Sequence, residues 1–475
     1  MTIYDVIIIG GGVVGSAIAR ELSRYRLKIA LLEKEAELAF GVSKSNSGII
    51  HPGTQNPPDS LKGRLCVQGN RLIRELAPHL GVHFMEVGEL IVGFNDDDIE
   101  GLLKIKADAE QLDVPGMELV DRPWLRKHEP NLSHKVRAAL YAPTAGIISP
   151  YRLTYDMAEN ASRNGVAIIT GAKVCAIEKS CDTFRITSTQ RTYSGRYVIN
   201  AAGLFSDEVS ALVGVDDFTI SPRKGEEYLL DKKRENITNH LIFPLPSEKS
   251  KGILVIKTSD GNPMVGPTAK EIESKEDLST SDEGFAQVFA SVKKMVPSIR
   301  KSDMIAYFAG LRPAAGKDFI IRHEKNVPGF VNVAGIQSPG LTAAPAIALM
   351  VADICKENGL ELVKDKSFHA YREQTTHLFK VPLSMTSKLV HEDPEYGDIV
   401  CRCEMVSVKE IKEAIKRGAR TLDGIKFRTR AQAGRCHGGF CTTRIIKIIA
   451  AELGVPVTEI TKRGPGSEVI VDLRA

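Results

Sequence analysis

The chain opens on an unbroken apolar, β-branched run, Tyr4 to Ile9, the pattern of a strand buried on both faces in a parallel sheet. Gly10, Gly11 and Gly12 end it, Val13, Val14 and Gly15 follow, and helical spacing then runs from Ser16 to about Tyr25. A second apolar strand, Ile29 to Leu32, leads into Glu33 and Lys34. Much later Tyr197 to Asn200 reads as a strand entering the small-residue turn Ala201-Ala202-Gly203. Phe330 to Ala334 is another strand, followed by Gly335, by Ser338-Pro339-Gly340-Leu341-Thr342 and by a helix from about Ala343 to Cys355. Near the end, Ser407 to Arg417 is helical, with Ser407 as N-cap and Glu410 three residues on, and a further helix runs from Cys441 to about Leu453. Strands alternating with helices predict an α/β body with a parallel sheet, and the tail predicts a small helical domain.

The length of 475 residues requires more than one domain. With 43% hydrophobic and 26% charged residues, the composition is that of a soluble globular protein. A net charge of +4 and the lack of any basic block give no reason to expect nucleic acid as a partner. The most apolar early stretch, Val6 to Ala19, is broken by glycines and preceded by Asp5, unlike a signal peptide or a spanning helix. A cytoplasmic location is therefore expected, with attachment to the inner membrane face through a partner compatible with it.

The glycine turn has a specific chemistry. Gly10 permits a tight turn, Gly12 lets the backbone approach a pyrophosphate, and Gly15 lets the helix pack close to the strand. The helix N-terminus offers N–H groups and partial positive charge to phosphates, and Glu33 is placed for ribose hydroxyls. The bland alternative is a glycine turn without a ligand, but the flanking strands and the acid favour a dinucleotide site. Ser45-Asn46-Ser47-Gly48, Ala201-Ala202-Gly203 and the Gly335 to Thr342 stretch are far apart in the chain. A cofactor touched by all of them is large and deeply embedded, which favours FAD over NAD.

These features together resemble the D-amino-acid-oxidase-like FAD oxidoreductases, a group that includes glycerol-3-phosphate dehydrogenases and L-2-hydroxyglutarate oxidases. The likeness rests on the glycine turn with Glu33, on Asn46-Ser47-Gly48-Ile49-Ile50-His51, on Ala201-Ala202-Gly203 and on Gly335 with Gly340-Leu341-Thr342. It implies a Rossmann-like body over about 1–365 binding FAD non-covalently, with an inserted α+β substrate domain at about 86–144 and 216–304. It also implies FAD contacts from Val13, Val14, Lys34, Val174 and Gly310. A helical connector, 366–395, containing Pro382 and Pro394, would lead to a last domain over 396–475.

Eight cysteines are present, and the last four form Cys401-x-Cys403 and Cys436-x4-Cys441, separated by 32 residues. A compact set without an export signal favours metal over disulfides. Four thiolates hold zinc or a [2Fe–2S] cluster, and the C-x-C arm is unusual for zinc. The arrangement resembles the bacterioferritin-associated-ferredoxin-type domain, and Arg428 to Cys441 resembles the tail of the anaerobic glycerol-3-phosphate dehydrogenase large subunit. A [2Fe–2S] cluster is thereby implied. It would pass single electrons from the flavin to an electron-accepting redox subunit, in a hetero-oligomer. Cys66, Cys175, Cys181 and Cys355 read as ordinary cysteines.

For catalysis, His51 is the candidate general base, against a structural role in the turn before Pro52. Arg312, in Phe308-Ala309-Gly310-Leu311-Arg312-Pro313, is the candidate anion clamp, a role the resemblance supports, against a loop brace. Lys257 is a weaker second anion ligand, and Lys62 and Arg64 read as solvated charges. The expected substrate is a small anionic hydroxy compound, sn-glycerol 3-phosphate first and a 2-hydroxy acid second. The arginine-tyrosine pair of glycerol-3-phosphate dehydrogenases is replaced here by Gly53-Thr54-Gln55-Asn56. Two rival readings are an electron-transfer subunit with the substrate site on a partner, and a zinc-stabilised oxidase. Thr461 to Glu468, with Gly464-Pro465-Gly466, reads as an ordered loop before a final short strand and has no assigned role.

Overall fold

The apolar run at the start of the chain becomes the strand Ile3–Ile9, in which Val6, Ile7 and Ile8 are wholly buried. It pairs in parallel with Ile29–Leu32 on one side and with Thr192–Asn200 on the other. The computed structural model describes residues 2–247 and 251–471. In it these strands are the centre of an eight-stranded sheet that also holds Phe330–Ala334 and Ala167–Ile169. The helix Val13–Leu22 crosses between the first two strands. A Cβ on Gly15 would lie 1.9 Å from the Gly10 carbonyl oxygen, so glycine alone lets this helix seat against its turn.

Two more helices cover the same face, Leu61–Leu80 and Gly340–Glu357. They touch at Gly69, where a Cβ would lie 2.0 Å from the Thr342 carbonyl oxygen and 2.9 Å from the Ala343 Cα. The obstacle is backbone, which cannot swing aside. Gly69→Ala is expected to lower stability by about 1–3 kcal/mol through overpacking. Chemical denaturation of the two proteins checks this; an unchanged midpoint would mean that the helices separate without cost.

A second sheet of nine strands is built from chain segments 89–142 and 221–314. Its two longest strands, Ser221–Leu230 and Met304–Ala314, run antiparallel and set Arg223 opposite Arg312 and Gly225 opposite Gly310. One face buries Leu90, Tyr228 and Val255 against Val288, Phe289 and Val292 of the helix Asp282–Met295. The other buries Ile91, Leu140, Phe243 and Leu254. This second face, with Phe243 edge-on to the His51 ring, fronts the nucleotide-binding body.

The C-terminal unit has its own core of Ile411, Ile415, Ile425, Ile445 and Ile449, drawn from three short helices. The first, Val408–Lys416, starts in a reciprocal capping box: Glu410 accepts from the Ser407 N–H at 3.0 Å, and Ser407 Oγ accepts from the Glu410 N–H at 3.3 Å. The middle helix, Leu422–Thr429, is absent from the sequence expectation. Ahead of this unit only the second half of the expected helical connector is α-helical, over Leu383–Glu392. Its first half is irregular and is pinned by Arg372, whose guanidinium pairs with Asp156 and Glu159. Thr461 and Glu468 close the expected loop as an isolated bridge; the final short strand expected after it does not form over 469–471, and its remainder, 472–475, lies outside the described residues.

Candidate active site and cluster site

The glycine turn, the Ser45 loop, the Ala201 turn and the Gly340 helix meet around one cavity of about 1300 Å³. That exceeds the usual 300–1000 Å³ of a small-ligand pocket and suits a dinucleotide with a small substrate. Gly10 has φ +113°, and a Cβ there would stand 2.3 Å from the Ala201 carbonyl oxygen. Glu33 is buried and accepts from the Gly11 N–H at 2.6 Å and the Glu35 N–H at 2.9 Å. Burial raises its carboxyl pKa despite these two bonds. Ser43 Oγ accepts from the Val13 N–H, the first of the helix, at 2.9 Å, while the N-cap Gly12 has no side chain with which to cap it.

Most of the residues singled out in the sequence line this cavity. From the first unit come Gly10, Gly12, Val13, Val14, Glu33 and Lys34, and from the next loop Ser45, Asn46, Ser47 and His51. Val174, Ala201, Ala202 and Gly203 line another wall, and Gly310, Arg312, Gly340 and Leu341 close it. Gly15, Gly335 and Thr342 stand behind the wall rather than in it. Gly310 is small for a reason: a Cβ there would lie 2.7 Å from Ser45 Oγ, where the second sheet meets the Ser45 loop.

His51 is held by its backbone. Its N–H donates to Thr342 Oγ1 at 2.9 Å and its carbonyl accepts from Asn70 Nδ2 at 3.0 Å. Burial, reinforced by the nearby Lys251 ammonium, pushes its imidazole pKa well below 6.5, so the ring is neutral at neutral pH. Arg312 occupies space left by Gly225, whose Cβ would lie 2.8 Å from Arg312 Nη2. Glu227 stands near it with one carboxylate oxygen that has no hydrogen bond among the described residues, and burial pushes its pKa up to about 8 even against Arg312.

Lys257 is the misplaced expectation. It ends the strand Leu254–Lys257 and lies outside the cavity wall, whereas Lys251, before the near end of that strand, lines it. The Lys251 ammonium has no hydrogen-bond partner among the described residues, and burial lowers its pKa. Buried beside it is Glu89, which accepts from Thr54 Oγ1 and whose pKa burial pushes up to about 7. The Gln55 amide lines the cavity with neither polar atom hydrogen-bonded among the described residues. Buried polar groups without partners mark a place where a polar ligand completes them. Lys62, read as a solvated charge, also lines the cavity, and burial lowers its pKa; Arg64 is exposed. The sequence carried no sign of Lys251, which sits in a charged run resembling a solvated loop.

The four tail cysteines converge. Cys403 Sγ and Cys436 Sγ are 3.7 Å apart, and the Cys441 thiol bonds that of Cys401. Backbone N–H groups of Gly438 and Phe440 point at the Cys436 sulfur and, with the Cys403 thiol, lower its pKa. A Cβ on Gly434 would lie 2.1 Å from Cys403 Cβ. Thiols gathered under backbone donors are the donor set of an iron–sulfur cluster. Cys401 and Cys441 are buried, while Cys403 is exposed.

A dinucleotide cleft with a buried cationic end, joined to a four-cysteine unit, defines an FAD-dependent oxidoreductase with an iron–sulfur domain. Residues 5–354 match the family model of the FAD dependent oxidoreductases, and residues 399–451 match that of the BFD-like [2Fe-2S] binding domain. The chain belongs to the FAD dependent oxidoreductase family, and its cofactors are FAD and a [2Fe–2S] cluster. It is 42% identical over 98% of both chains to a protein of Caloramator mitchellensis named glycerol 3-phosphate dehydrogenase. It is 35% identical to the glycerol 3-phosphate oxidase of Mycoplasma genitalium, covering 74% of this chain and 95% of that one. Among solved structures, the dithionite-reduced L-alpha-glycerophosphate oxidase of Mycoplasma pneumoniae with FAD bound superposes with a TM-score of 0.76 at 31% identity. That match covers 79% of this chain and all of the other. The expected α/β class and the small helical tail domain are borne out, and the tail's family match favours the cluster over zinc. No helix among the described residues is long and apolar enough to cross a membrane.

Proposed function

We propose that the chain oxidises sn-glycerol 3-phosphate to dihydroxyacetone phosphate and delivers the electrons through its [2Fe–2S] cluster to a redox partner subunit. The observation that carries this is the pairing, in one buried cavity, of a neutral His51 with the cations Arg312, Lys251 and Lys62. A phosphate dianion supplies the charge these groups lack, with Arg312 as the planar fork and Lys251 as a point charge. Binding it there would set the C2 hydroxyl beside the imidazole, which accepts the hydroxyl proton as C2–O becomes a carbonyl. The glycine turn, the Ser45 loop and the Ala201 turn would hold FAD, which would supply the acceptor for the C2 hydride. Burial of the site keeps water from competing for the imidazole and strengthens every charge interaction within it. The identity of a full-length relative named glycerol 3-phosphate dehydrogenase supports this substrate.

Delivery to a partner is supported by the cluster unit's own surface. Cys403 is exposed and Phe440, beside Cys441, is 89% exposed, so the cysteine loops face outward where a second protein can reach them. A hetero-oligomer, with any membrane association made through that partner, follows from this reading.

The test is anaerobic. Glycerol 3-phosphate added to the purified holoprotein is expected to bleach the flavin absorption, and L-2-hydroxyglutarate is expected to leave it. The reverse result moves the substrate to a 2-hydroxy acid. Bleaching by neither would assign the substrate site to another subunit.

A further inference from the structure

The loop without an assigned role, Thr461 to Glu468, reaches the FAD cleft. Arg463, Gly464 and Pro465 line the cavity on the wall formed by Glu35, Ala36 and Lys44, just after Glu33. Gly464 has φ +124°, and a Cβ there would lie 3.0 Å from Ala36 Cβ, so the loop rests on that segment. It is a built loop. The Lys462 N–H donates to the Ser467 carbonyl at 2.7 Å, and the Gly464 N–H donates to Thr461 Oγ1 at 3.1 Å. The N–H groups of Leu422 and Asp423 donate to the carbonyls of Thr461 and Lys462, tying the loop to the middle helix.

A separate observation points to the same place. Glu37, in the first nucleotide-binding unit, is 1% exposed, and every recorded partner of its carboxylate belongs to the C-terminal domain. It accepts from Arg428 Nη1 and the Arg420 N–H, both at 2.8 Å, and from the Thr421 N–H and hydroxyl, both at 3.3 Å. A Cβ on Gly424 would stand 2.0 Å from Glu37 Oε1, so the helix carrying it is pressed onto the carboxylate. The segment that turns away from Glu33 is thus locked to the domain that carries the cysteines.

We propose that the cluster domain completes the FAD site, with Arg463 as a ligand of the adenosine diphosphate end and the Glu37–Arg428 lock positioning it. Lys44 and Arg463 line that end of the cavity together, with the Arg463 side chain exposed at its mouth and near enough to Lys44 to repel it electrostatically. An anionic phosphate group placed between the glycine turn and this loop would lie between these two neighbouring cations and offset their mutual repulsion. Retention of FAD then depends on a domain that makes none of the Rossmann contacts. The inference rests only on FAD occupying the cleft and holds for any substrate.

The experiment titrates FAD into flavin-free full-length protein that retains its cluster, read by flavin fluorescence. Arg463→Ala is expected to weaken FAD about tenfold, a change of about 1.4 kcal/mol, with the iron–sulfur absorption unchanged. Glu37→Gln is expected to weaken FAD as well, through loss of the lock. Lys447→Ala, an exposed cation of the same domain outside the cleft, is expected to leave affinity at the wild-type value. Wild-type affinity in both Arg463→Ala and Glu37→Gln overturns the proposal while leaving FAD binding itself intact.

Discussion

Replacing His51 by Gln is expected to slow bleaching of the flavin by substrate about a thousandfold, within the range that a positioned general base contributes. Substrate affinity should change little, because the cations that hold the anion are elsewhere in the cavity. The substitution is suited to the question, since the hydrogen bonds to Thr342 and Asn70 that hold residue 51 are made by its backbone and survive it; of the ring's contacts it alters those to Ser338 Oγ at 3.4 Å and to Phe243. The pH profile separates a base from a packing residue. Burial and Lys251 hold the His51 pKa well below 6.5. A lowered pKa keeps the proton-accepting form complete above pH 6.5, so the His51 limb of the wild-type profile is flat near neutrality and falls only at more acid pH, apart from any limb that Glu89, at about 7, and Glu227, at about 8, add. The variant should lack that acid limb. Stopped-flow reduction across pH checks both points, and a loss smaller than tenfold with an unchanged profile would falsify the assignment of His51 as the base.

What the sequence made legible was what local rules govern. The strand Ile3–Ile9 is buried on both faces over Val6 to Ile9 and therefore reads as a continuous apolar run, and Gly15 is required by its contact with the Gly10 carbonyl, five residues away. The Ser407–Glu410 box announces its helix because both partners lie within one turn. The helix Leu422–Thr429 stayed hidden because Gly424 reads as a breaker. Its glycine is explained by Glu37, nearly four hundred residues earlier. The choice between Lys251 and Lys257 was equally out of reach. Both flank one apolar strand, and which of them meets the cavity is decided by how the strands of the second sheet stack against the nucleotide-binding body. Gln55, Glu89 and Glu227 owe their unpaired atoms to the same long-range assembly, which no local pattern encodes.

Replacing Cys436 by Ser is expected to abolish the iron–sulfur absorption while substrate still bleaches the flavin. Cys436 is the thiol best prepared to ligate: backbone N–H groups of Gly438 and Phe440 stabilise its thiolate, and its sulfur lies 3.7 Å from that of Cys403. A serine hydroxyl ionises far less readily and offers a hard oxygen where iron–sulfur sites take thiolate. The helices of the domain should survive, since Cys436 itself takes no part in the apolar core that Ile411, Ile415, Ile425, Ile445 and Ile449 build. The cavity walls around His51 and Arg312 come from the other two sheets, so the reductive step has no need of the cluster. Electrons should then enter and find no exit: bleaching persists, and turnover with a one-electron acceptor falls to whatever the flavin exchanges directly. Anaerobic spectra, iron analysis and steady-state assays on one preparation measure all three. Persisting iron absorption would mean that the four cysteines are not the ligand set. Loss of substrate bleaching together with the cluster would mean instead that the cluster domain is needed to keep FAD in place, the same dependence that the Arg463 loop and the Glu37 lock build into the cleft.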